Sequence, residues 1–291
     1  MFTATLIAAG ALSRGDISSA EDALRQTGAE PTGWIWLDEG DAADLAFTGD
    51  PAAARAALEA LSFDVVVQPS WGRFKKLLVA DMDSTMITIE CIDELADYAG
   101  IKAEIAAVTE AAMRGELDFA EALDARVALL KGLEEGMIAR CREERVRIMP
   151  GARALVRTMR ADGARTVLVS GGFTAFAEPV AAEIGFDVAI ANRLGVGEGV
   201  LDGLVAKPIV DAATKLATLE AERDRLGLAS AEVLAVGDGA NDIPMIEAAG
   251  LGVAYRAKPR TAAAASARIE RGDLTALLWA QGLPRALWVM E

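Results

Sequence analysis

The chain has 291 residues, 53% of them hydrophobic, so it is long and apolar enough to fold as a globular main domain with a smaller unit. Its net charge of −15 argues against nucleic acid as a partner, because that affinity comes mainly from Lys and Arg that neutralise phosphates. The absence of histidine excludes Ser-His-Asp triads, Cys-His dyads and histidine-ligated zinc, and leaves acid-base chemistry to carboxylates, Lys, Tyr or Cys.

The N-terminal residues do not resemble a targeting or membrane sequence. Residues 1–13 are uncharged and fairly apolar but lack the basic leader of a secretory signal, and we expect a strand there. No later apolar run approaches the roughly 20 residues that span a bilayer. The two cysteines, Cys91 and Cys141, are too few for a disulfide scaffold and form no CxxC arrangement. These features predict a cytoplasmic protein with reduced thiols and no membrane partner.

Residues 1–72 are predicted to form a small α+β domain. Strand-like and helical stretches follow one another in the order β-α-β-β-α-β up to about residue 70, which is typical of a ferredoxin-like unit. This order resembles that of the ACT-type regulatory modules of amino-acid metabolism. Because no residue carries a specific signature, a structural or dimerising appendage, with the protein a homodimer, fits the pattern equally.

Residues 73–291 are predicted to form the main domain, an α/β doubly wound parallel sheet with an inserted helical cap. The run KKLLVADMDST contains a continuous apolar strand, which suits the buried centre of a parallel sheet. Residues 86–149 are helical in pattern and predict the cap. From residue 150 onward strands and helices alternate again, and together with residues 73–85 they predict a Rossmann-like core.

The glycine-rich stretch RLGVGEGVLDGLV at 193–205 is predicted to form a β-hairpin. Its glycines are also compatible with a nucleotide-binding loop, but no strand-to-helix context supports that function. We therefore expect a hairpin without a phosphate-binding role.

Polar motifs follow three strands of the predicted sheet: DMDST at 81–85, SGG at 170–172 and GDGAND at 237–242. In open parallel sheets ligands bind beyond the carboxyl ends of the strands, so these motifs are expected to meet at one edge. Strand geometry would put Asp81 and Asp83 on the same side of the chain, close enough to share one substrate.

The convergence of acidic residues predicts a cation in this site. Two ionised carboxylates about 4 Å apart repel by about 4 kcal/mol at an effective dielectric of 20, and Asp238 and Asp242 add to that repulsion. Mg²⁺ would satisfy these hard oxygen donors, and Lys215 would supply a second positive charge. Ordinary interpretations exist for single residues, with Ser170 and Asp242 as helix caps and Lys215 as a solvated side chain.

DMDST, SGGF, the lysine of DAATK and GDGAND, in this order, resemble the four motifs of the haloacid dehalogenase superfamily. The resemblance covers most of residues 75–260. In that superfamily the second aspartate of the first motif marks phosphatases, whereas transport ATPases have threonine there, so Asp83 implies hydrolysis. The strings DMDSTMITIECIDELA, ANRL and VGDGANDIPMI resemble the phosphoserine phosphatases of the superfamily. That resemblance implies hydrolysis of O-phosphoserine to serine and phosphate, the last step of serine biosynthesis.

The resemblance also implies how the reacting groups act. Asp81 would attack phosphorus to form an aspartyl-phosphate, and Asp83 would first protonate the departing seryl oxygen and then deprotonate water. Mg²⁺ would be held by Asp81, the backbone carbonyl of Asp83, Asp238 and Asp242. Lys215 and the ion together would screen the attack of an anion on a dianion.

Further residues are implied to hold the phosphate group. Ser170 and the backbone amide of Gly171 would donate hydrogen bonds to its oxygens. Asn241 lies inside the fourth motif and would orient the substrate or Lys215, although it is equally compatible with a helix N-cap.

Four cap residues are implied to select serine. Glu90 would meet the amino group and Arg126 the carboxylate, which the planar guanidinium binds through two hydrogen bonds. Met113 and Phe119 would close the lid. Without the resemblance, these side chains have ordinary interpretations as a surface acid, an ion-pair partner of Asp118 or Glu121, and core residues.

Two other functions use similar residues. A phosphorylation-controlled module resembling a bacterial receiver domain also combines acidic residues, a lysine and magnesium. In receivers, however, the phosphate acceptor lies on a later strand than the acidic pair, and this chain has the reverse order and a large cap. A phosphotransferase in which an alcohol replaces water would share the aspartyl-phosphate, so the sequence does not exclude it.

Overall fold

The computed structural model describes residues 1–8, 10–114 and 116–290, with the side chain of Met113 outside the described part. The N-terminal unit consists of β1 (Phe2–Ile7), α1 (Arg14–Gln26), β2 (Glu30–Asp38), β3 (Ala42–Thr48), α2 (Pro51–Leu58) and β4 (Asp64–Pro69). Its strands pair antiparallel in the order β2-β3-β1-β4. This order confirms the predicted ferredoxin-like arrangement.

The next elements form the cap and the core. After β5 (Leu77–Ala80) come the cap helices α3 (Cys91–Ala99), α4 (Lys102–Met113), α5 (Phe119–Leu129) and α6 (Glu135–Arg145). The core continues with α7 (Ala152–Ala161), β6 (Arg165–Phe173), α8 (Thr174–Ile184), β7 (Val188–Asn192), β8 (Leu194–Gly197), β9 (Val200–Val205), α9 (Ala212–Arg225), β10 (Val233–Gly237), α10 (Ile243–Ala248), β11 (Leu251–Tyr255), α11 (Pro259–Ala264), β12 (Ala267–Ile269) and α12 (Ala276–Ala280). Among the helices that the structure describes, none is both long and apolar enough to cross a bilayer.

The core sheet has the order β12-β11-β10-β5-β6-β7, and its neighbouring strands are all parallel. β5, β10 and β11 are buried along their whole length. Continuous apolar strands of this kind need cover on both faces, which the flanking helices provide. Because β5 lies between β10 and β6, the three polar motifs that follow these strands meet at the middle of one sheet edge. The predicted doubly wound core with a helical insert is confirmed.

The glycine-rich stretch forms the predicted hairpin, in which β8 and β9 pair antiparallel. The hairpin also extends to the cap. Between α5 and α6, the Gly132 amide donates to the Leu201 carbonyl, and the Leu201 amide donates to the Leu133 carbonyl, both over 2.8 Å. The hairpin therefore supports the cap at the end of α5.

The N-terminal unit and the core share one sheet, because β4 pairs with β12 through Val65 and Arg268. The result is a ten-stranded sheet in the order β2-β3-β1-β4-β12-β11-β10-β5-β6-β7. Pairing across the junction gives no natural break in the sheet, so the division of the chain at residue 72 stays a prediction. The homodimer and the regulatory role also stay predictions.

A buried ion pair joins the N-terminal unit to the core. Arg73 donates to both carboxylate oxygens of Asp44, over 2.5 and 2.9 Å, and Thr5 Oγ1 donates to the same carboxylate over 2.8 Å. Arg73 also donates to the carbonyl of Ala280, the last residue of α12, over 3.1 Å. The two charged side chains are only 13% and 9% exposed, so removing one leaves the other charge buried without its partner.

We expect Asp44→Ala to lower the free energy of unfolding by about 3–5 kcal/mol, because Arg73 then stays buried as an unpaired charge. Urea unfolding of the purified protein measures the change. The matched control is Asp22→Ala, which removes an exposed partner of Arg25 and is expected to cost less than about 1 kcal/mol. Equal losses for the two variants would contradict a stabilising role for the buried pair.

Candidate active site

The turn after β5 brings the two aspartates of the first motif to the sheet edge. Asp81 continues the strand, and its amide donates to the carbonyl of Val236 in β10 over 3.0 Å. Ser84 then adopts a left-handed conformation with φ 54°, which is uncommon for a residue with a side chain and reverses the chain direction. Asp81 and Asp83 consequently line the same cavity.

A buried ionic cluster stands beside this turn. Lys215 is fully buried in the first turn of α9, and its Nζ donates to Asp81 Oδ1 and, over 2.7 Å, to Asp242 Oδ1. The second oxygen of Asp242 accepts from the Gly239 amide over 3.0 Å. Burial lowers the pKa of Lys215, but the carboxylates of Asp81 and Asp242 together raise it by more. The net shift is therefore upward, and the lysine is charged at neutral pH. The interpretation of Lys215 as a solvated helix residue is wrong.

Three carboxylates form a group of donors suited to a metal ion. Oxygens of Asp81, Asp238 and Asp242 lie within 4.8 Å of one another, and all three residues are buried. Burial, Asp242 and Glu90 raise the pKa of Asp238 to about 6, and burial together with Asp242 raises the pKa of Asp81. Lys215 neutralises only part of this charge. The all-oxygen donor set fits a hard divalent cation such as Mg²⁺.

Asp83 is placed to exchange a proton with a ligand. Its Oδ2 accepts from the Cys91 amide over 3.4 Å, whereas its Oδ1 is buried without a hydrogen-bond partner among the described residues. Burial and the nearby Glu90 carboxylate raise the pKa of Asp83 to about 7. A group with this pKa is present in both protonation states near neutral pH, as a general acid-base group requires.

Ser170, Gly171 and Gly172 at the end of β6 approach the aspartates closely. Ser170 Oγ accepts from the Gly172 amide over 2.9 Å, and it does not cap α8, whose N-cap residue is Phe173. A Cβ on Gly172 would lie 3.1 Å from Ser170 Oγ and 3.3 Å from Asp83 Oδ2. A side chain at position 172 would therefore crowd both groups, and glycine lets the loop approach the cavity without that contact.

A cavity of about 460 Å³ lies between the cap and the core. Its lining contains nine of the predicted site residues: Asp81, Asp83, Glu90, Phe119, Arg126, Ser170, Gly171, Asp238 and Asn241. Two more, Lys215 and Asp242, are fully buried and bond directly to lining residues or to each other. The side chain of Met113 lies outside the described part of the structure. Asn241 lines the cavity, and its role stays a prediction.

Arg126 brings a positive charge to the cap side of this cavity. Its Nε donates to the Ala122 carbonyl over 3.1 Å, and the described residues provide no ion pair for its guanidinium. Burial lowers its pKa, against the opposing effect of Asp93 and Glu90. The alternative of an ion pair with a neighbouring acid on α5 is wrong, because those acids, Asp118 and Glu121, bond to each other's backbone amides at the helix start.

Three residues near the site were not among the predicted site residues. Ser84 Oγ donates to Glu90 Oε1 over 2.7 Å, and Thr85 Oγ1 donates to Asp238 Oδ1 over 3.3 Å. Ser84 and Thr85 are the last two residues of the DMDST motif, so the motif itself indicated that they lie near the site. Lys258 lines the cavity and follows the carboxyl end of β11, so the rule that identified the other strand ends would also have found it.

Comparison with known proteins assigns the chain to a family. The model of the haloacid dehalogenase-like hydrolases matches residues 78–247, which contain all the predicted site residues. A phosphoserine phosphatase of Albidiferax ferrireducens is 48% identical over 70% of this chain and 88% of its own length. The phosphoserine phosphatase SerB2 of Mycobacterium tuberculosis is 44% identical over 76% of this chain, which spans 54% of that relative.

A solved structure extends the similarity to the N-terminal unit. The unliganded probable phosphoserine phosphatase of Vibrio cholerae superposes with a TM-score of 0.80 and 32% identity, covering 98% of this chain and 87% of that one. The family match replaces the receiver-like interpretation, which is wrong. The chain belongs to the haloacid dehalogenase-like hydrolases and, within them, to the phosphoserine phosphatase family of enzymes.

Proposed function

We propose that this enzyme hydrolyses O-phospho-L-serine to L-serine and phosphate. The observation that carries the proposal is the position of Glu90 and Arg126, which line the same cavity as Asp81 from the cap side. The serine part of the substrate carries one ammonium and one carboxylate group. The Glu90 carboxylate and the Arg126 guanidinium, for which the described residues provide no ion-pair partner, complement these two charges.

Asp81 and Asp83 share the covalent chemistry in this proposal. An Asp81 carboxylate oxygen attacks phosphorus, a new O–P bond forms, and the bond between phosphorus and the seryl oxygen breaks. Asp83 donates its proton to that oxygen, so serine leaves as a neutral alcohol. A water molecule then attacks phosphorus and transfers a proton back to Asp83. The bond between phosphorus and the Asp81 oxygen breaks, phosphate leaves, and both residues return to their starting states. The raised pKa of Asp83 supports this role, as does its Oδ1, which has no hydrogen-bond partner within the described part of the chain.

The remaining polar groups hold the phosphate in line with Asp81. Ser170 and the Gly171 amide bind its oxygens, and the Lys215 ammonium offsets the charge that builds up between two anions. We infer that Asp81, Asp238, Asp242 and the Asp83 carbonyl hold Mg²⁺. Bound there, the ion would supply further positive charge for the same purpose.

The first prediction concerns the nucleophile. We expect Asp81→Asn to reduce phosphate release from O-phosphoserine at least a thousandfold, because an amide oxygen of nearly the same shape is a far weaker nucleophile. Asp50→Asn, a conservative change at the start of α2, is the control and is expected to keep full activity. Phosphate and serine are both quantified, since a serine excess would indicate transfer to another acceptor. Retained activity in Asp81→Asn would contradict the proposed attack.

The second prediction concerns substrate selection. We expect Arg126→Met to raise KM for O-phosphoserine on the order of tenfold to a hundredfold while activity on p-nitrophenyl phosphate changes little, because only the former has a carboxylate. Lys131→Met, which removes an exposed cation soon after α5, serves as the matched control. An equal loss on both esters would show that Arg126 supports the cap and does not select the substrate.

The third prediction concerns the metal. Addition of Mg²⁺ is expected to raise the thermal midpoint, because an ion that binds only the folded state stabilises it by about 2.7 kcal/mol at a hundred times its dissociation constant. Asp238→Asn is expected to lose most of this rise, whereas Asp50→Asn keeps it. Differential scanning fluorimetry with and without EDTA gives a readout that does not depend on activity. An identical rise in both variants would place the ion elsewhere.

A further inference from the structure

Asn192 belongs to the ANRL string, and no role in the reaction has been given to it. It is the last residue of β7 and is 2% exposed. Its Nδ2 donates to the Gly171 carbonyl over 2.8 Å and to the Val210 carbonyl over 3.3 Å, while its Oδ1 accepts from the Val210 amide over 2.7 Å. The nitrogen and the oxygen of the side-chain amide therefore both bond to backbone groups, which belong to two separate segments.

The first segment is the loop formed by Ser170, Gly171 and Gly172, called the phosphate-binding loop after its proposed function. The peptide group between Gly171 and Gly172 has its carbonyl bonded to Asn192 on one side and its N–H bonded to Ser170 Oγ, over 2.9 Å, on the other. Because the C=O and N–H of a trans peptide point in opposite directions, these two bonds set the orientation of the peptide plane. Two glycines in succession have no side chain of their own to restrict the loop, so its geometry depends on such contacts.

The second segment leads into the helix that carries Lys215. Val210 immediately precedes Asp211, the N-cap residue of α9, and Lys215 lies one turn further along. By bonding both the N–H and the C=O of Val210, Asn192 holds the chain at the point where this helix begins. A Cβ on Gly171 would lie 3.8 Å from the Val210 carbonyl oxygen, so the two segments also lie close to each other.

We propose that Asn192 is a positioning residue that sets the distance between the phosphate-binding loop and Lys215. Its side chain is not part of the cavity lining. Its amide joins Gly171 to Val210 and so holds together the two elements that approach the phosphate from neighbouring sides. The inference rests on the proposed function only in taking this site to bind a phosphate group. The leaving alcohol plays no part in it.

The test compares Asn192→Asp and Asn192→Ser with the wild type. Aspartate has nearly the same shape but cannot donate to the two carbonyls, and serine removes most contacts without adding a charge. We expect the inhibition constant of inorganic phosphate to rise on the order of tenfold in both, with kcat/KM falling by a similar factor on O-phosphoserine and on p-nitrophenyl phosphate. If Asn192→Asp does not fold, Asn192→Ser decides the question.

Gln281→Glu and Gln281→Ser are the matched controls. Gln281 is also a buried amide that bonds two backbone groups, the Lys75 amide over 3.0 Å and the Leu277 carbonyl over 2.9 Å, but it does not line the cavity. These variants are expected to lower the thermal midpoint and leave the phosphate inhibition constant unchanged. An unchanged constant in the Asn192 variants, or an equal change in the Gln281 variants, would overturn the inference. Wild-type protein that binds phosphate but leaves O-phosphoserine intact would overturn the proposed substrate alone.

Discussion

The contact of Lys215 with Asp81 and Asp242 is the interaction on which the rest of the site depends. Ionised carboxylates that converge in a buried place repel one another by several kcal/mol per pair, and burial adds a desolvation penalty to each. Lys215 relieves part of this cost before any ligand arrives. Because the three charged groups come from α9, β5 and the turn after β10, they meet only when the central strands are correctly aligned. The correct alignment of the buried central strands is thus a requirement of the charge arrangement.

The same constraint gives residues of the core and residues of the cap different proposed roles. In the proposed reaction, the groups that approach the phosphate follow strand ends or, in the case of Lys215, stand in the first turn of α9, whereas Glu90 and Arg126 belong to the insert. Phe119 of the insert lies close to Gly171 of the core, since a Cβ on that glycine would be 3.2 Å from the Phe119 ring. Hydrogen bonds between the hairpin and the segment that follows α5 also support the insert. Under the proposed function, a change of side chains on the cap would therefore alter which alcohol is accepted and preserve the phosphate chemistry of the core.

The sequence predicted the sheet and the meeting of its polar motifs at one edge, because continuous apolar strands have few ways to pack and polar residues directly after them lie at the edge. It predicted less where the outcome depends on which of several nearby partners a side chain selects. Arg126 had two plausible acids on its own helix, but Asp118 and Glu121 satisfy backbone amides instead. The sequence shows Asn192 only as part of the ANRL string and does not show what it bonds, because its partners Gly171 and Val210 lie far from it along the chain. The partner of such a side chain is decided by tertiary geometry, which the sequence pattern does not show.

The position of the N-terminal unit limits how it can act on the site. Its strand β4 is separated from β10 by β12 and β11, and neighbouring strands lie about 4.8 Å apart, so the separation is about 14 Å. The described part of the unit contributes no residue to the cavity lining. One route between them along the sheet runs from β4 through β12 to β11, whose carboxyl end leads to Lys258 at the cavity wall. An influence of the unit that follows this route would reach Lys258 and the Asp238 carbonyl, which accepts from the Lys258 amide over 3.2 Å.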